Sequence, residues 1–318
     1  MNYRARLSDS KGNENPRLLI FRPVGEQHLK ALGEKTAVNN KTNQPDYYYP
    51  NFTSEYTQKH ALLNWRIKNE TPTENPHILS LQPKISIVIP CFNEEEGLKS
   101  VLPQVHEVMS KTGFPYEVIV VDDGSEDKTA EIAKKHYSKV LKNPCNQGKG
   151  IALQKGFKHA KGNIIITMDG DGSHKAEDIP RLIQPILKGE YELVIGSRFL
   201  SKTGNKTTSL LHIIGNKIFN YIIWLLNRKR LVDSQSGFRA FTKKLLSSIG
   251  DLTSEGYDLE SEFIIKSVKL FKDKIIEVPI KIVNRLDGNS RIRIIPDGLK
   301  ILKRIIQSAF QIPKNTKT

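Results

Sequence analysis

The chain has 318 residues, 38% hydrophobic and 26% charged, enough apolar content for one large domain or a domain with appendages. A net charge of +15 accompanies only two cysteines, Cys91 and Cys145, in unrelated contexts, which argues against a disulfide framework or a zinc site and for a reducing compartment. Arg4, Arg6 and Lys11 have no apolar stretch behind them, and no apolar run reaches the roughly 18 residues of a membrane span, so neither a signal peptide nor a spanning helix is expected.

Residues 1–80 are polar and rich in Asn, Lys and Glu, with Tyr47-Tyr48-Tyr49-Pro50 and a short apolar stretch over 61–67. They read as an extension of unknown role carrying at most one docked helix. Organised structure starts at Lys84. Ile85-Ser86-Ile87-Val88-Ile89 is a strand closed by Pro90, and Asn93 is placed as the cap of a helix that opens with Glu94-Glu95-Glu96. Tyr116 to Val121 is a second buried strand, ending in Asp122-Asp123-Gly124-Ser125, and a helix is expected over 127–136. A short strand over 139–141 and a helix over 148–160 follow, the helix entered through Asn146-Gln147-Gly148-Lys149-Gly150.

The next strand, Ile164-Ile165-Ile166-Thr167, is apolar enough to be buried on both faces. It ends in Asp169-Gly170-Asp171-Gly172. Two carboxylates this close at the end of a buried strand are costly unless a cation meets them. A hard divalent ion such as Mg2+ suits such a pair, with water and substrate phosphates completing the shell. A helical stretch over 176–187 and a strand over 193–195, ending in Gly196-Ser197-Arg198, complete an alternation that predicts a mostly parallel sheet with helices on both faces. Ligands of such sheets bind at the carboxyl ends of the strands, where all these polar signatures lie. No Gly-x-Gly-x-x-Gly follows the first strand, and Gly148-Lys149-Gly150 lacks the hydroxyl of a phosphate loop.

Taken together, Ile-Pro-Cys-Phe-Asn-Glu-Glu, Val-Asp-Asp-Gly-Ser, Asn-Gln-Gly-Lys-Gly, Met-Asp-Gly-Asp-Gly, Gly-Ser-Arg-Phe and Asp-Ser-Gln-Ser-Gly-Phe-Arg-Ala-Phe resemble the family 2 glycosyltransferases, most of all the dolichyl-phosphate sugar synthases. The resemblance runs over 84–310. It implies the α/β GT-A fold, a nucleotide-sugar-binding αβα sandwich with a mostly parallel central sheet, placed over 81–285. It assigns Pro90, Phe92, Glu94 and Asp123 to the nucleoside, and Asp169 and Asp171 to a divalent ion, Mg2+ or Mn2+, and the diphosphate. Arg198, Arg285 and Arg291 match positions used around donor and acceptor phosphates, work for which the planar guanidinium is suited.

Asp233, with Arg239 six residues on, lies where relatives carry an acidic residue near the acceptor. It is a general base if the acceptor is a hydroxyl, an orienting group if the acceptor is an already anionic phosphate, or a carboxylate paired with Arg239 or a neighbouring loop. Asp171, Asp233 and Arg198 are thus the catalytic candidates. There are departures from the family pattern. Ser173 stands where relatives often have Gln, and His212, with Asn216 one turn on, stands where some place an Arg for the lipid phosphate.

Basic residues concentrate in two segments: six and no acid over 201–230, and seven against Asp297 alone over 288–318. Both segments also read as amphipathic helices, over 210–226 and 299–310, the second within a basic carboxyl-terminal segment over 286–318. Apolar helices flanked by Lys and Arg suit the interface of an anionic membrane. The expected enzyme transfers a sugar from UDP-GlcNAc or UDP-Glc, or else GDP-mannose, to dolichyl or another polyprenyl phosphate. It would act on the cytoplasmic face of the cell membrane, in protein N-glycosylation. A soluble acceptor is the nearest alternative. A nucleic-acid partner is not expected, because aromatic residues are few and scattered.

Overall fold

The structure, a computed structural model, describes residues 84–136, 138–200, 210–283 and 294–310, with 210–212, 294 and 295 by backbone alone, and the backbone of four strands nearer the amino terminus. The chain divides into two compact units, Met1–Thr73 and Glu74–Thr318. In the first, β1 (Tyr3–Ser8) pairs antiparallel with β2 (Glu14–Phe21), and β3 (Ala37–Asn39) with β4 (Gln44–Asp46). The reading of 1–80 as a polar extension did not foresee these strands. The stretch 61–67 lies outside the described residues.

The second unit is an αβα sandwich. Its strands are β5 (Ile85–Cys91), β6 (Tyr116–Asp122), β7 (Lys139–Lys142), β8 (Ile164–Thr167), β9 (Leu193–Ser197), β10 (Arg239–Thr242) and β11 (Ile275–Pro279), in the spatial order β11-β9-β10-β8-β5-β6-β7. All pairings are parallel except those of β10, which runs antiparallel between β8 and β9. Alternate residues of each strand point to opposite faces. Ile85, Ile87 and Ile89 therefore join α1 (Glu95–Thr112) and α4 (Ile179–Leu187) in one core, whereas Val88, Ile119 and Ile165 join α3 (Lys149–His159) and α7 (Leu259–Phe271) in the other. Between the early helices lies α2 (Thr129–Lys135), and α6 (Lys243–Ser248) directly follows β10.

Helix α1 starts at Glu95, one residue later than expected, and Asn93 does not cap it. Asn93 adopts the left-handed conformation at φ 50°, which Asn tolerates, and stitches two strand ends together. Its N–H donates to Ser125 Oγ at 2.9 Å, and its Oδ1 accepts from the Glu126 N–H at 2.9 Å. The open N–H groups of the first turn are met from the neighbouring loop: Glu94 N donates to Thr129 Oγ1 at 2.9 Å and Glu95 N to Asp127 Oδ2 at 3.1 Å.

Two long helices remain, α5 (Leu210–Asn227) between β9 and β10, and α8 (Ile294–Phe310) after β11. The polar stripe of α5 faces inward. Asn216 and Asn220 are buried, and both donate to the Val232 carbonyl, at 2.8 and 2.6 Å. Ile214, Ile218, Tyr221 and Leu225 are exposed instead. Helix α8 packs on α5 and α7 through Ile301 and Ile305 and leaves Leu299, Ile306 and Phe310 exposed. Among the described residues no helix is long and apolar enough to cross a membrane.

Candidate active site

The carboxyl ends of β5, β6 and β8 open into a cleft of about 830 Å³ lined by Pro90, Phe92, Glu94, Asp123, Asp169 and Asp171 among others. All six nucleoside and metal candidates therefore meet on one sheet edge. The floor is tightly built. At Gly97, in the first turn of α1, a Cβ would stand 2.1 Å from the Gly170 carbonyl oxygen and 2.9 Å from Asp171 Cα. Only glycine lets the helix pass this close to the Asp169–Asp171 turn. Cys91 also lines the cleft, but burial first, and Glu94 next, hold its thiol well above its ordinary range. A thiolate nucleophile is not available there.

Asp123 acts on its own chain as well as facing the cleft. Its Oδ1 accepts from Asn143 Nδ2 at 2.7 Å and Gln147 N at 3.1 Å, and its Oδ2 from Gly148 N at 2.8 Å. These bonds hold the loop into α3, where Gly148 takes φ 103° with the Glu255 carbonyl against it. The loop delivers Lys149, whose ammonium bridges Asp169 Oδ1 at 2.7 Å and Glu260 Oε1 at 2.9 Å. Burial opposes the lysine's charge, but Asp169 and Glu260 outweigh it and hold its pKa above the usual lysine value.

Asp171 is fixed by its near neighbour Ser173. Ser173 donates to Asp171 Oδ1 through its backbone N–H at 2.9 Å and its hydroxyl at 2.6 Å. Buried His174 accepts the Asp169 N–H at Nδ1 (3.3 Å) and stacks on Phe238 at 5.0 Å between ring centroids. Burial pushes its pKa down despite the nearby carboxylates, which suits a neutral ring. Among the described residues no group of three or more His, Cys, Asp or Glu side chains is placed to hold a metal. A divalent ion here would thus have two carboxylates and take its other ligands from water and phosphate, the coordination Mg2+ accepts. Lys149 on Asp169 shows that this turn is already arranged around a positive charge.

Arg198 and Asp233 form a bidentate pair. Arg198 Nε meets Oδ2 at 2.8 Å, Nη2 meets Oδ1 at 2.7 Å, and the Arg198 backbone N–H adds a third bond at 2.8 Å. Asp233 is fully buried, and its own backbone N–H and that of Val232 each donate to a Glu277 carboxylate oxygen at 2.7 Å. Of the partners that the sequence left open for Asp233, the structure selects the β9 loop. Arg239 is buried and not part of the cleft lining, and it donates to the carbonyls of Ser234, Ser236 and Glu260. Burial lowers its pKa to about 10. Asn216 is likewise engaged, on Val232. Arg285, Arg291 and the His212 side chain lie outside the described residues.

Sequence reasoning did not find Lys149 as the partner of Asp169, nor Glu260, nor Glu277, nor the wall that α8 gives the cleft. Lys149 had a signal, since it sits within Asn-Gln-Gly-Lys-Gly. The two glutamates lie in segments where no motif marks them.

The family profile described as Glycosyl transferase family 2 matches residues 86–250. The chain is similar to an uncharacterized protein of Methanocaldococcus jannaschii, 41% identical over 232 residues, which cover 71% of this chain and 93% of that one. It is similar also to a UDP-N-acetylglucosamine–dolichyl-phosphate N-acetylglucosaminyltransferase of Methanococcus voltae, 33% identical over 244 residues, 70% of this chain and 94% of the other. Among solved structures, glucosyl-3-phosphoglycerate synthase from Mycobacterium tuberculosis, in complex with Mn2+, uridine diphosphate and phosphoglyceric acid, superposes with a TM-score of 0.60. The match is 22% identical and covers 74% of this chain and 82% of that chain, a likeness of fold.

Proposed function

The chain belongs to glycosyl transferase family 2, and we propose that it moves one sugar from a nucleotide sugar to dolichyl or another polyprenyl phosphate at an anionic membrane surface. It is a glycosyltransferase on the GT-A fold. UDP-GlcNAc is the favoured donor, with UDP-Glc next and GDP-mannose as the alternative. The Methanococcus voltae relative carries that first donor in its name, and this chain covers nearly all of that protein. Protein N-glycosylation is the use such a product suits.

The observation that carries this reading is the turn Asp169–Asp171, set among the nucleoside candidates in one cleft and arranged around a cation. Pro90 and Phe92 would pack against the nucleoside while Glu94 and Asp123 accept from its N–H and hydroxyl groups. Asp169 and Asp171 would hold Mg2+ or Mn2+, which when bound neutralises charge on the leaving diphosphate. An acceptor phosphate oxygen attacks the anomeric carbon as the sugar–phosphate bond breaks and the nucleoside diphosphate leaves. That oxygen is anionic near neutral pH, so no strong base is required. Asp233 has both oxygens on Arg198, which suits it to aiming a guanidinium at a substrate phosphate rather than to taking a proton.

Membrane attachment would come from the apolar residues on α5 and α8 that the fold leaves in solvent, together with Lys217, Arg228 and Arg230 beside them. On this reading the enzyme is peripheral, on the cytoplasmic face. The test is incubation with Mn2+, dolichyl phosphate and radiolabelled UDP-GlcNAc, UDP-Glc or GDP-mannose, followed by organic extraction. Label in the organic phase from one donor supports the reading and identifies the sugar. Release of nucleoside diphosphate with no extractable label would remove the lipid acceptor and leave a transferase for a soluble one.

A further inference from the structure

Helix α8 has three faces with different surroundings. Ile301, Ile305 and Ser308 are buried, Leu299, Ile306 and Phe310 are exposed, and Lys300, Lys303, Arg304 and Gln307 line the cleft that holds Asp169 and Asp171. Spacings of three and four residues put the last four on one stripe of the helix. The charge pattern alone directs these basic side chains to an anionic membrane, but the fold turns them toward the substrate cleft.

The charge balance there leaves work for them. Among the described residues seven carboxylates and four cations line the cleft. Two of the cations are committed to carboxylates: Lys149 to Asp169 and Glu260, and Arg304 to Asp258 at 3.2 Å. Arg304 also donates to Thr253 Oγ1 at 3.0 Å, which ties α8 to the loop before α7. Among the described residues Lys300 and Lys303 make no ion pair. Both are exposed in the open cleft, one turn apart. A phosphate-bearing substrate entering among several carboxylates is repelled unless cations meet it. A metal on Asp169 and Asp171 offsets that repulsion only locally.

We propose that Lys300 and Lys303 form a phosphate-binding wall of the cleft, two ammonium groups that ion-pair the phosphate oxygens of a bound substrate. This rests on the glycosyltransferase reading above and assigns to the carboxyl-terminal helix a part in substrate binding, distinct from any part in membrane attachment. The phosphate belongs either to the donor's diphosphate or to the lipid acceptor.

The test is titration of the full chain and its Lys300→Glu/Lys303→Glu variant with UDP and GDP in the presence of Mn2+. Uridine and guanosine serve as phosphate-free controls, and a short-chain polyprenyl phosphate in detergent micelles is the second phosphate. Both lysines are exposed, so thermal unfolding of the variant should match the parent. Binding of at least one phosphate-bearing ligand should weaken by about tenfold or more while any nucleoside binding stays unchanged. Loss on the diphosphate arm assigns the wall to the donor, and loss on the lipid arm alone assigns it to the acceptor. Unchanged affinity on every arm would overturn the inference, as would an equal loss for the nucleosides. If the parent chain binds none of the phosphate ligands, the transferase reading itself falls, and the wall falls with it.

Discussion

Arg198 owes its place to carboxylates stacked behind it: Glu277 holds the backbone of Val232 and Asp233, and Asp233 holds Arg198. Burial raises the Glu277 pKa to about 7, against the two backbone donors that favour its charged form. The fold therefore retains a proton there that the unfolded chain loses near the ordinary glutamate value. Stability from this group is full below that ordinary value and is lost as pH rises toward about 7 and above. Relative to Glu277→Gln, the parent chain should lose thermal stability between pH 5 and pH 8, and a relative gain over that range would contradict the account. Lys149→Met leaves Asp169 and Glu260 without their shared cation, a loss of about 3 kcal/mol by analogy with broken buried pairs. Added Mn2+ should then raise the variant's melting temperature by more than the parent's. An equal or smaller rise would mean that the metal does not share the lysine's place. The two aspartates of the central turn were legible because their chemistry needs no partner from elsewhere to be noticed. The partner of Asp233 was not, because it comes from a loop 35 residues earlier that only the antiparallel insertion of β10 brings alongside.

Strands and helices in the alternating run up to β9 were legible from sequence, including the short, charged β7, whereas β10 and β11 were not. β5, β6 and β8 are runs of β-branched residues buried on both faces and lie close to where the sequence puts them. β10 has only four residues, opens with Arg239, and is held by pairing on both sides rather than by its own pattern. β11 is half-buried at the sheet edge. Helix α5 was found, but which of its faces is buried depends on Val232 and Ser234, whose backbone groups bond Asn216 and Asn220. The packing of α1 on the metal turn gives a prediction at this scale. Gly97→Ala is favourable for a free helix by about 0.5–1 kcal/mol, yet here the added Cβ meets the Gly170 carbonyl. The variant should fold with lower stability and lose most of its transfer activity, read by calorimetry and turnover. Parent-like behaviour in both would show that the turn is not held by this contact.

At the scale of the whole molecule, two surfaces present clustered basic side chains among the described residues. One is the cleft wall of α8, and the other is the margin of the exposed apolar stripe on α5, where the Arg228 and Arg230 guanidinium groups lie 5.9 and 5.7 Å from the Trp224 ring centroid. On the proposed membrane reading, a stripe with Tyr221 60% exposed and Ile218 50% exposed would enter a lipid headgroup layer. Ile218→Glu/Tyr221→Glu should reduce co-sedimentation with vesicles containing anionic lipid several-fold while leaving nucleotide binding intact. Unchanged sedimentation would remove α5 from the membrane contact. On the proposed function, the Asp169–Asp171 turn drives departure of a nucleoside diphosphate, and metal-dependent nucleoside diphosphate release by the parent chain and Asp171→Ala decides whether it does. The expected result is release that needs Mn2+ or Mg2+ in the parent and falls by about a hundredfold or more in the variant. Full release by Asp171→Ala, or release by the parent after metal is stripped with a chelator, would contradict it.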